Sequence, residues 1–163
     1  MSSNNNVAVR EFSWPVRVYY EDTDSGGVVY YANYLKFMER ARTELLRSIG
    51  FEQDKIQQEL GILFAVVSAN IQYKKPARFN DELNVITSIT SLGKASISFK
   101  QSIYREVSHL ESAHQTDGSD EKISGLLSEA DIKIACLNAK KFTAQSIPAS
   151  IIKKINQEFF CGS

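Results

Sequence analysis

The chain has 163 residues, of which 43% are hydrophobic and 23% are charged, a balance typical of one compact domain. Its 19 basic and 19 acidic residues give a formal net charge of zero, which argues against a general binder of nucleic acid or membrane surfaces. No run approaches the ~20 apolar residues that a membrane span needs. Two cysteines without metal-ligand spacing favour a reducing compartment, so we expect a cytoplasmic protein.

Two segments are expected to lie outside the regular elements of a single domain. Residues 1–10 contain a run of asparagines and predict a mobile tail, which leaves residues 11–163 for the domain. Residues 105–125 show no apolar period and predict a flexible loop. Both histidines, His109 and His114, lie in that loop. Because catalysis needs a base held to within ~0.5 Å, we expect neither histidine to be catalytic.

The first ordered elements are a strand and a long helix. Residues 13–20 alternate inward Val16, Val18 and Tyr20 with other side chains, as a half-buried strand does. After a polar turn, residues 32–49 predict a helix that Gly50 ends.

Apolar side chains cover about half of the circumference of this helix, so we expect it to be surrounded by the rest of the fold. They are Tyr34, Leu35, Phe37, Met38, Ala41, Leu45, Leu46 and Ile49. Arg42 falls inside the same arc, and because a lone buried charge is costly, its charged group should either extend to the edge of the arc or meet a carboxylate. Of the two, we expect the pairing.

The remaining chain is mostly strand. A short helix over residues 52–60 is followed by strands over 63–73, 82–91, 95–104 and 127–137. A hairpin turn at Gly93 joins the second and third of these strands, and the last three should form an antiparallel meander. Pro148, at a first-turn position, opens a closing helix.

The turn between the first strand and the long helix is where we expect chemistry. It contains Asp22 and Asp24, then Gly26 and Gly27, just before the helix begins. A carboxylate would thus lie near unused backbone N–H groups and the positive end of a helix dipole. A carbonyl oxygen could be polarised there while Asp24 attacks or activates water. Aspartate and glycine are also ordinary turn residues, so the local pattern alone favours a plain turn.

Two segments resemble a known family. The first is YYEDTDSGGVVYYANYLKFMERAR at 19–42, and the second is YKKPARFNDEL at 73–83. Together with Ile147-Pro148 they are similar to the 4-hydroxybenzoyl-CoA thioesterase family, nearest to its YbgC-like, Tol-Pal-associated acyl-CoA thioesterases. Many YbgC-like members carry His where this chain has Tyr31, whereas Tyr occurs there in the wider family.

The resemblance implies an α+β hotdog fold, in which an antiparallel sheet wraps around one long central helix. It also implies a homo-oligomer, a dimer or a homotetramer, with active sites at the subunit interface. By position, Asp24 matches the catalytic carboxylate, and the backbone N–H of Tyr31 matches the oxyanion donor. The implied substrate-binding residues are Gly27, Val28, Lys74 and Lys94.

The implied function is an acyl-CoA thioesterase that hydrolyses a small acyl- or aroyl-CoA, with Asp24 as nucleophile or general base. No metal or other cofactor is implied, since CoA is part of the substrate. Two alternatives stay open. One is a hotdog dehydratase, and the other is a non-catalytic adaptor that binds acyl-CoA or an acyl carrier protein.

Several conspicuous residues have a plainer interpretation. Asp22 is more typical of a turn residue than of a second catalyst. Tyr19, Tyr20, Tyr30 and Tyr34 are more typical of core or interface packing than of substrate clamps.

Overall fold

A computed structural model describes residues 10–106 and 125–160 of the chain. Its elements in chain order are β1 (Phe12–Arg17), α1 (Tyr31–Ser48), α2 (Gln53–Leu60), β2 (Ile62–Tyr73), β3 (Glu82–Leu92), β4 (Ser96–Arg105), β5 (Leu126–Asn138) and α3 (Ala149–Ile155). A π-helical turn, Asn156–Phe160, extends α3. The predicted order of strand, helix and four further strands is confirmed, and most element ends fall within two residues of their predicted positions.

The five strands form one antiparallel sheet in the order β1-β3-β4-β5-β2. The predicted meander is confirmed, because β3, β4 and β5 are both consecutive and adjacent. A tight turn at Gly93, whose N–H donates to the carbonyl oxygen of Ser96 at 2.8 Å, joins β3 to β4. Strands β1 and β2 are the two edges of the sheet.

Helix α1 packs its apolar side against β3 and β1. Phe37, Met38, Ala41 and Leu45 are completely buried there, in the single hydrophobic core that the described residues share. Leu35 is 38% exposed, so the buried arc is narrower than predicted on that flank. The helix ends as expected, with the following Gly50 in the left-handed region that favours glycine (φ +96°).

Arg42 is buried in this core, but its partner is not the carboxylate that the sequence predicted. Its Nη1 donates to Gln101 Oε1 at 2.8 Å. The Gln101 Nε2 group donates in turn to Thr87 Oγ1 and to the carbonyl oxygen of Met38, each at 2.9 Å. Burial lowers the pKa of Arg42, and the charge of Glu39 partly offsets that effect. The neutral amide of Gln101, on β4, therefore accepts the hydrogen bond of the charged guanidinium. Helical periodicity alone could not reveal this pairing.

Strand β1 is shorter than predicted. It ends at Arg17, and although Val16 and Val18 are buried as expected, Tyr20 is 81% exposed. The alternation stops because residues Tyr20–Asp22 form a 3-10 turn that carries the chain away from the sheet.

Two other predictions fall partly outside the described residues, and a third is wrong. Residues 1–9 of the predicted tail lie outside them, while Arg10 donates from Nη1 to Glu158 at 2.9 Å. Residues 107–124 of the predicted loop, including both histidines, also lie outside them. Pro148 precedes α3 as its N-cap residue (ψ 141°) rather than occupying its first turn.

Replacing Gln101 tests how far the fold depends on the buried charge. Gln101→Leu leaves the buried Arg42 guanidinium without its hydrogen-bond acceptor. We therefore expect the free energy of unfolding to fall by about 3 kcal/mol. Thr87→Val is the matched control, since it removes only a neutral acceptor and should cost about 1 kcal/mol. Urea denaturation measures both. Equal, small losses would show that the charge pairing is unimportant.

Candidate active site

The turn between β1 and α1 is folded around Asp22. Its carboxylate Oδ2 accepts a hydrogen bond from the N–H of Tyr19 at 2.8 Å. Its carbonyl oxygen accepts two more, from the N–H of Tyr30 at 3.0 Å and from Nδ2 of Asn33 at 2.8 Å. Asp22 therefore holds the turn together, in agreement with its interpretation as a turn residue.

Asp24 lies on the exposed side of the same turn. Its Oδ1 accepts the N–H of Gly26 at 2.8 Å, and its own N–H donates to the carbonyl oxygen of Val28 at 2.9 Å. Gly27 adopts φ +76°, which glycine reaches without strain. Within residues 10–106 and 125–160, no other group is hydrogen-bonded to the Asp24 carboxylate. Its backbone is therefore fixed while one carboxylate oxygen remains available for chemistry.

Helix α1 begins at Tyr31. The N-cap residue, Tyr30, provides no side-chain cap, and its carbonyl oxygen accepts the N–H of Asn33 at 2.9 Å. In the part of the chain that the structure describes, the N–H of Tyr31 has no acceptor. Such an N–H, at the positive end of an 18-residue helix, is suited to stabilise a developing negative charge on oxygen.

Two cavities flank this turn and the start of the helix. One of about 500 Å³ contains the Asp24 carboxylate and is lined by Tyr20, Thr23, Asp24, Ser25, Gly27 and Phe79. The other, of about 260 Å³, is lined by Val29, Tyr31, Tyr34, Tyr73, Lys74, Lys75 and Pro76. A molecule that contacts both Asp24 and the first turn of α1 would therefore reach from one cavity to the other.

The second cavity is rich in tyrosine. The Tyr73 ring stands edge-on to the rings of Tyr31 and Tyr34, with centroids 6.2 and 5.4 Å apart. The Tyr34 hydroxyl accepts the N–H of Ala77 at 2.9 Å, and the carbonyl oxygen of Ala77 accepts the N–H of Val29 at 2.8 Å. These contacts join the segment before β3 to the turn between β1 and α1.

The pKa values of Tyr30, Tyr34 and Tyr73 are raised, which favours the protonated forms of these three phenols. Burial is the main cause that raises the pKa of Tyr34 and of Tyr73, while a hydrogen bond with Tyr31 raises the pKa of Tyr30. At neutral pH they are therefore hydrogen-bond donors and not bases.

Of the tyrosines interpreted as packing residues, only Tyr34 is buried, whereas Tyr19, Tyr20 and Tyr30 are exposed in this single chain.

The predicted substrate-binding residues are only partly brought together. Gly27 lies in the Asp24 cavity and Lys74 in the tyrosine cavity, where its Nζ is 3.9 Å from a carboxylate oxygen of Glu129. Val28 pairs through its backbone with Arg78, between the two cavities.

Lys94 is remote from Asp24 within one protomer. Lys94 follows the C-terminal end of β3, whereas the turn that carries Asp24 pairs with Arg78, before the N-terminal end of β3. Eleven residues of strand separate the two ends, or roughly 35 Å at ~3.4 Å per residue. Lys94 could act at an Asp24 site only if a second subunit supplied it.

Three residues at this site had no role assigned from the sequence, although all three lie in the two family-like segments. Asn33 was hidden within the helical pattern, Tyr73 ended a predicted strand, and Phe79 lay in the second family-like segment without an assigned role. Their positions depend on contacts between distant parts of the chain. The only local signal was the unusual number of tyrosines near the helix start.

Other kinds of site find no support in the described residues. In residues 10–106 and 125–160, no group of three histidine, cysteine or acidic side chains is placed to hold a metal ion. Over the same residues, no helix has the length and apolarity to cross a membrane. A larger cavity, about 580 Å³, lies over the sheet beside Lys100 and Ser102 and includes none of the predicted site residues.

Comparison with known proteins places the chain among thioesterases. Residues 26–112 match the Thioesterase superfamily. The acyl-CoA thioester hydrolase YbgC of Escherichia coli O6:H1 is 40% identical over 146 residues, which cover 90% of this chain and 96% of that protein.

Solved structures confirm the expected hotdog fold. A probable thioesterase from Bartonella henselae is 29% identical with a TM-score of 0.71, and covers 85% of this chain and 100% of its own. A 4-hydroxybenzoyl-CoA thioesterase mutant, solved with 4-hydroxybenzoyl-CoA, gives a TM-score of 0.74 over 89% of this chain and 98% of its own. At 21% identity, that structure supports the fold alone.

Proposed function

We propose that this chain, which belongs to the Thioesterase superfamily, hydrolyses acyl-CoA thioesters with Asp24 and the N–H of Tyr31 as its catalytic groups. The acyl-CoA thioesterase activity is that of its YbgC relative, to which it is similar over nearly its whole length. The observation that carries the residue assignment is the turn itself. It holds an available carboxylate next to a helix start whose first N–H has no acceptor in the described residues.

The Asp24 carboxylate acts in one of two ways. As a general base it takes a proton from water while the water oxygen bonds to the thioester carbon. As a nucleophile it bonds to that carbon itself, and water then hydrolyses the resulting anhydride. In both routes the carbon–sulfur bond breaks, CoA leaves as a thiolate that takes up a proton, and the free acid is released.

The N–H of Tyr31 is proposed to stabilise the oxyanion. As the thioester carbon is attacked, negative charge collects on its carbonyl oxygen. A donor already held in place stabilises that charge without reorganising at the moment of reaction.

Substrate binding is assigned to both cavities. We propose that Gly27 and Val28 allow the thioester to approach the backbone closely, and that Lys74, at the rim of the tyrosine cavity, attracts the phosphates of CoA. We propose a small acyl or aroyl group as the acyl part of the substrate, and the hydrolysis as written uses no cofactor besides the CoA of the substrate. An acyl carrier protein presents the same kind of thioester and is proposed as a second carrier. Cytoplasmic location stays a proposal that rests on the cysteine pattern.

Assembly through the free edge of β2 is the second part of the proposal. Val66 and Val67 are 52% and 57% exposed on this edge strand, and an apolar edge strand left open promotes uncontrolled pairing. A second copy that pairs its own β2 there would cover the β2 edge of both copies in a closed dimer. Two such dimers would make a tetramer. In either assembly, Lys94 could act at the Asp24 of another subunit, although it is remote from the Asp24 of its own chain.

The alternatives are less well supported. A dehydratase commonly uses histidine as acid and base, and in the described residues there is no histidine. A non-catalytic adaptor would not need an available carboxylate beside an unused helix N–H.

Asp24→Asn tests the proposed catalyst. Asparagine keeps the shape and the Gly26 contact but can neither attack nor take a proton, so we expect kcat to fall by at least 10²-fold with the fold unchanged. Free thiol release from a panel of acyl-CoA thioesters measures activity, and circular dichroism checks folding. Asp22→Asn is the matched control and should act mainly on stability. A severe catalytic loss in that control alone would reverse the assignment.

Two substitutions of Tyr31 separate its side chain from its backbone. Tyr31→Phe keeps the N–H, so activity should stay within about tenfold of the native protein. Tyr31→Pro removes the donor at a first-turn position where proline is tolerated, and turnover should fall by about 10²- to 10³-fold. The assignment to the N–H fails if a folded Tyr31→Pro remains active while Tyr31→Phe is inactive.

Light scattering tests the assembly. The native protein should be a dimer or tetramer at micromolar concentration, and the double substitution Val66→Lys with Val67→Lys should shift it towards monomer, because like charges would meet across the shared edge. Leu60→Lys, another exposed apolar position outside β2, is the control and should leave the mass unchanged. A fully active monomeric native protein would contradict this part of the proposal.

A further inference from the structure

Two side chains that contact no reacting atom in the proposed mechanism hold the first turn of α1. Asn33, only 8% exposed, donates from Nδ2 to the carbonyl oxygen of Asp22 at 2.8 Å. Tyr73 donates from its hydroxyl to the carbonyl oxygen of Tyr31 at 3.1 Å. We infer that Asn33 and Tyr73 are positioning residues that fix the Tyr31 N–H relative to Asp24. This inference rests on the proposed function, because it assumes that both of those groups act on the thioester.

Asn33 connects the two halves of the site. Its backbone N–H bonds the carbonyl oxygen of Tyr30 at 2.9 Å, and that carbonyl belongs to the peptide unit that also carries the Tyr31 N–H. Its side chain reaches Asp22, two residues before Asp24. One residue therefore orients the proposed oxyanion donor and attaches it to the segment that carries the carboxylate.

Tyr73 fixes the next peptide unit. The carbonyl oxygen of Tyr31 that it bonds lies on the other side of the same α-carbon as the Tyr31 N–H. The Tyr73 ring is held against Tyr34, whose hydroxyl is itself engaged by Ala77. The end of β2 thus restrains the first residue of α1 through its carbonyl oxygen.

These restraints matter because the first N–H groups of a helix lack intrahelical acceptors to hold their peptide units. The first turn is where helices fray. A misplacement of about 1 Å at a reacting centre can cost about 10²-fold in rate. Fixing the peptide units around Tyr31 is therefore a direct means of protecting turnover.

The first experiment compares Asn33→Ala and Tyr73→Phe with the native protein, using benzoyl-CoA or butanoyl-CoA, whichever is hydrolysed faster. We expect kcat to fall by about 10- to 100-fold in Asn33→Ala and by about 3- to 10-fold in Tyr73→Phe, with KM changed less than twofold. The controls are Asn84→Ala and Tyr104→Phe, half-buried positions on β3 and β4 outside both cavities of the site. Their kcat should stay within twofold.

The second experiment repeats both substitutions in a Tyr31→Pro background, with enzyme in excess of substrate so that slow hydrolysis can be followed. A positioning role predicts less than threefold further loss there, because no Tyr31 N–H is left to be positioned. Equal factors in both backgrounds, or a raised KM with kcat unchanged, would overturn the inference.

The outcomes also separate the two proposals. Full activity of Asp24→Asn overturns the proposed function and this inference with it, whereas additive losses overturn this inference alone. Tyr73→Phe retains its ring contacts, so it decides the question even if Asn33→Ala does not fold.

Discussion

The carbonyl oxygen of Asp22 is the atom on which the arrangement of this site depends. It accepts the N–H of Tyr30 and the side-chain amide of Asn33, and so joins the end of the first strand's turn to the first turn of the long helix. Asp24 follows that junction in the turn, and the N–H of Tyr31, which has no acceptor among the described residues, follows it at the helix start. A carbonyl oxygen has two acceptor positions, and both are occupied here. The site is thus built from backbone geometry, with few side chains committed to chemistry.

Much of the fold could be predicted because it is expressed in local periodicity. The alternation of Ile97, Phe99 and Gln101 identified β4 and its buried face, and all three are buried in the structure. The helix ended where Gly50 could take a left-handed conformation. The turn at Asp22 to Gly27 was recognisable as a candidate site from its composition, and the resemblance to thioesterases gave its two acidic residues different roles.

The remaining features arise from contacts between residues far apart in sequence. Nothing near Arg42 indicates that Gln101, 59 residues away, will accept its hydrogen bond. Likewise Tyr73 ends a strand, and only the folded chain brings its hydroxyl to Tyr31, 42 residues earlier. The exposure of Tyr20 was mispredicted because strand alternation was extended into a 3-10 turn. Periodicity describes which face of an element is buried, but not which partner it meets.

The amide partner of Arg42 has a consequence for how the core responds to acid. Carboxylates ordinarily take up protons below about pH 4, and a guanidinium paired with one would then lose its counter-charge. The Gln101 amide does not titrate, so acid does not remove the acceptor of the Arg42 hydrogen bond or the amide that donates to Thr87 and Met38. The hydrogen bonds at the centre of the helix–sheet contact therefore include a charged donor but no titrating acceptor.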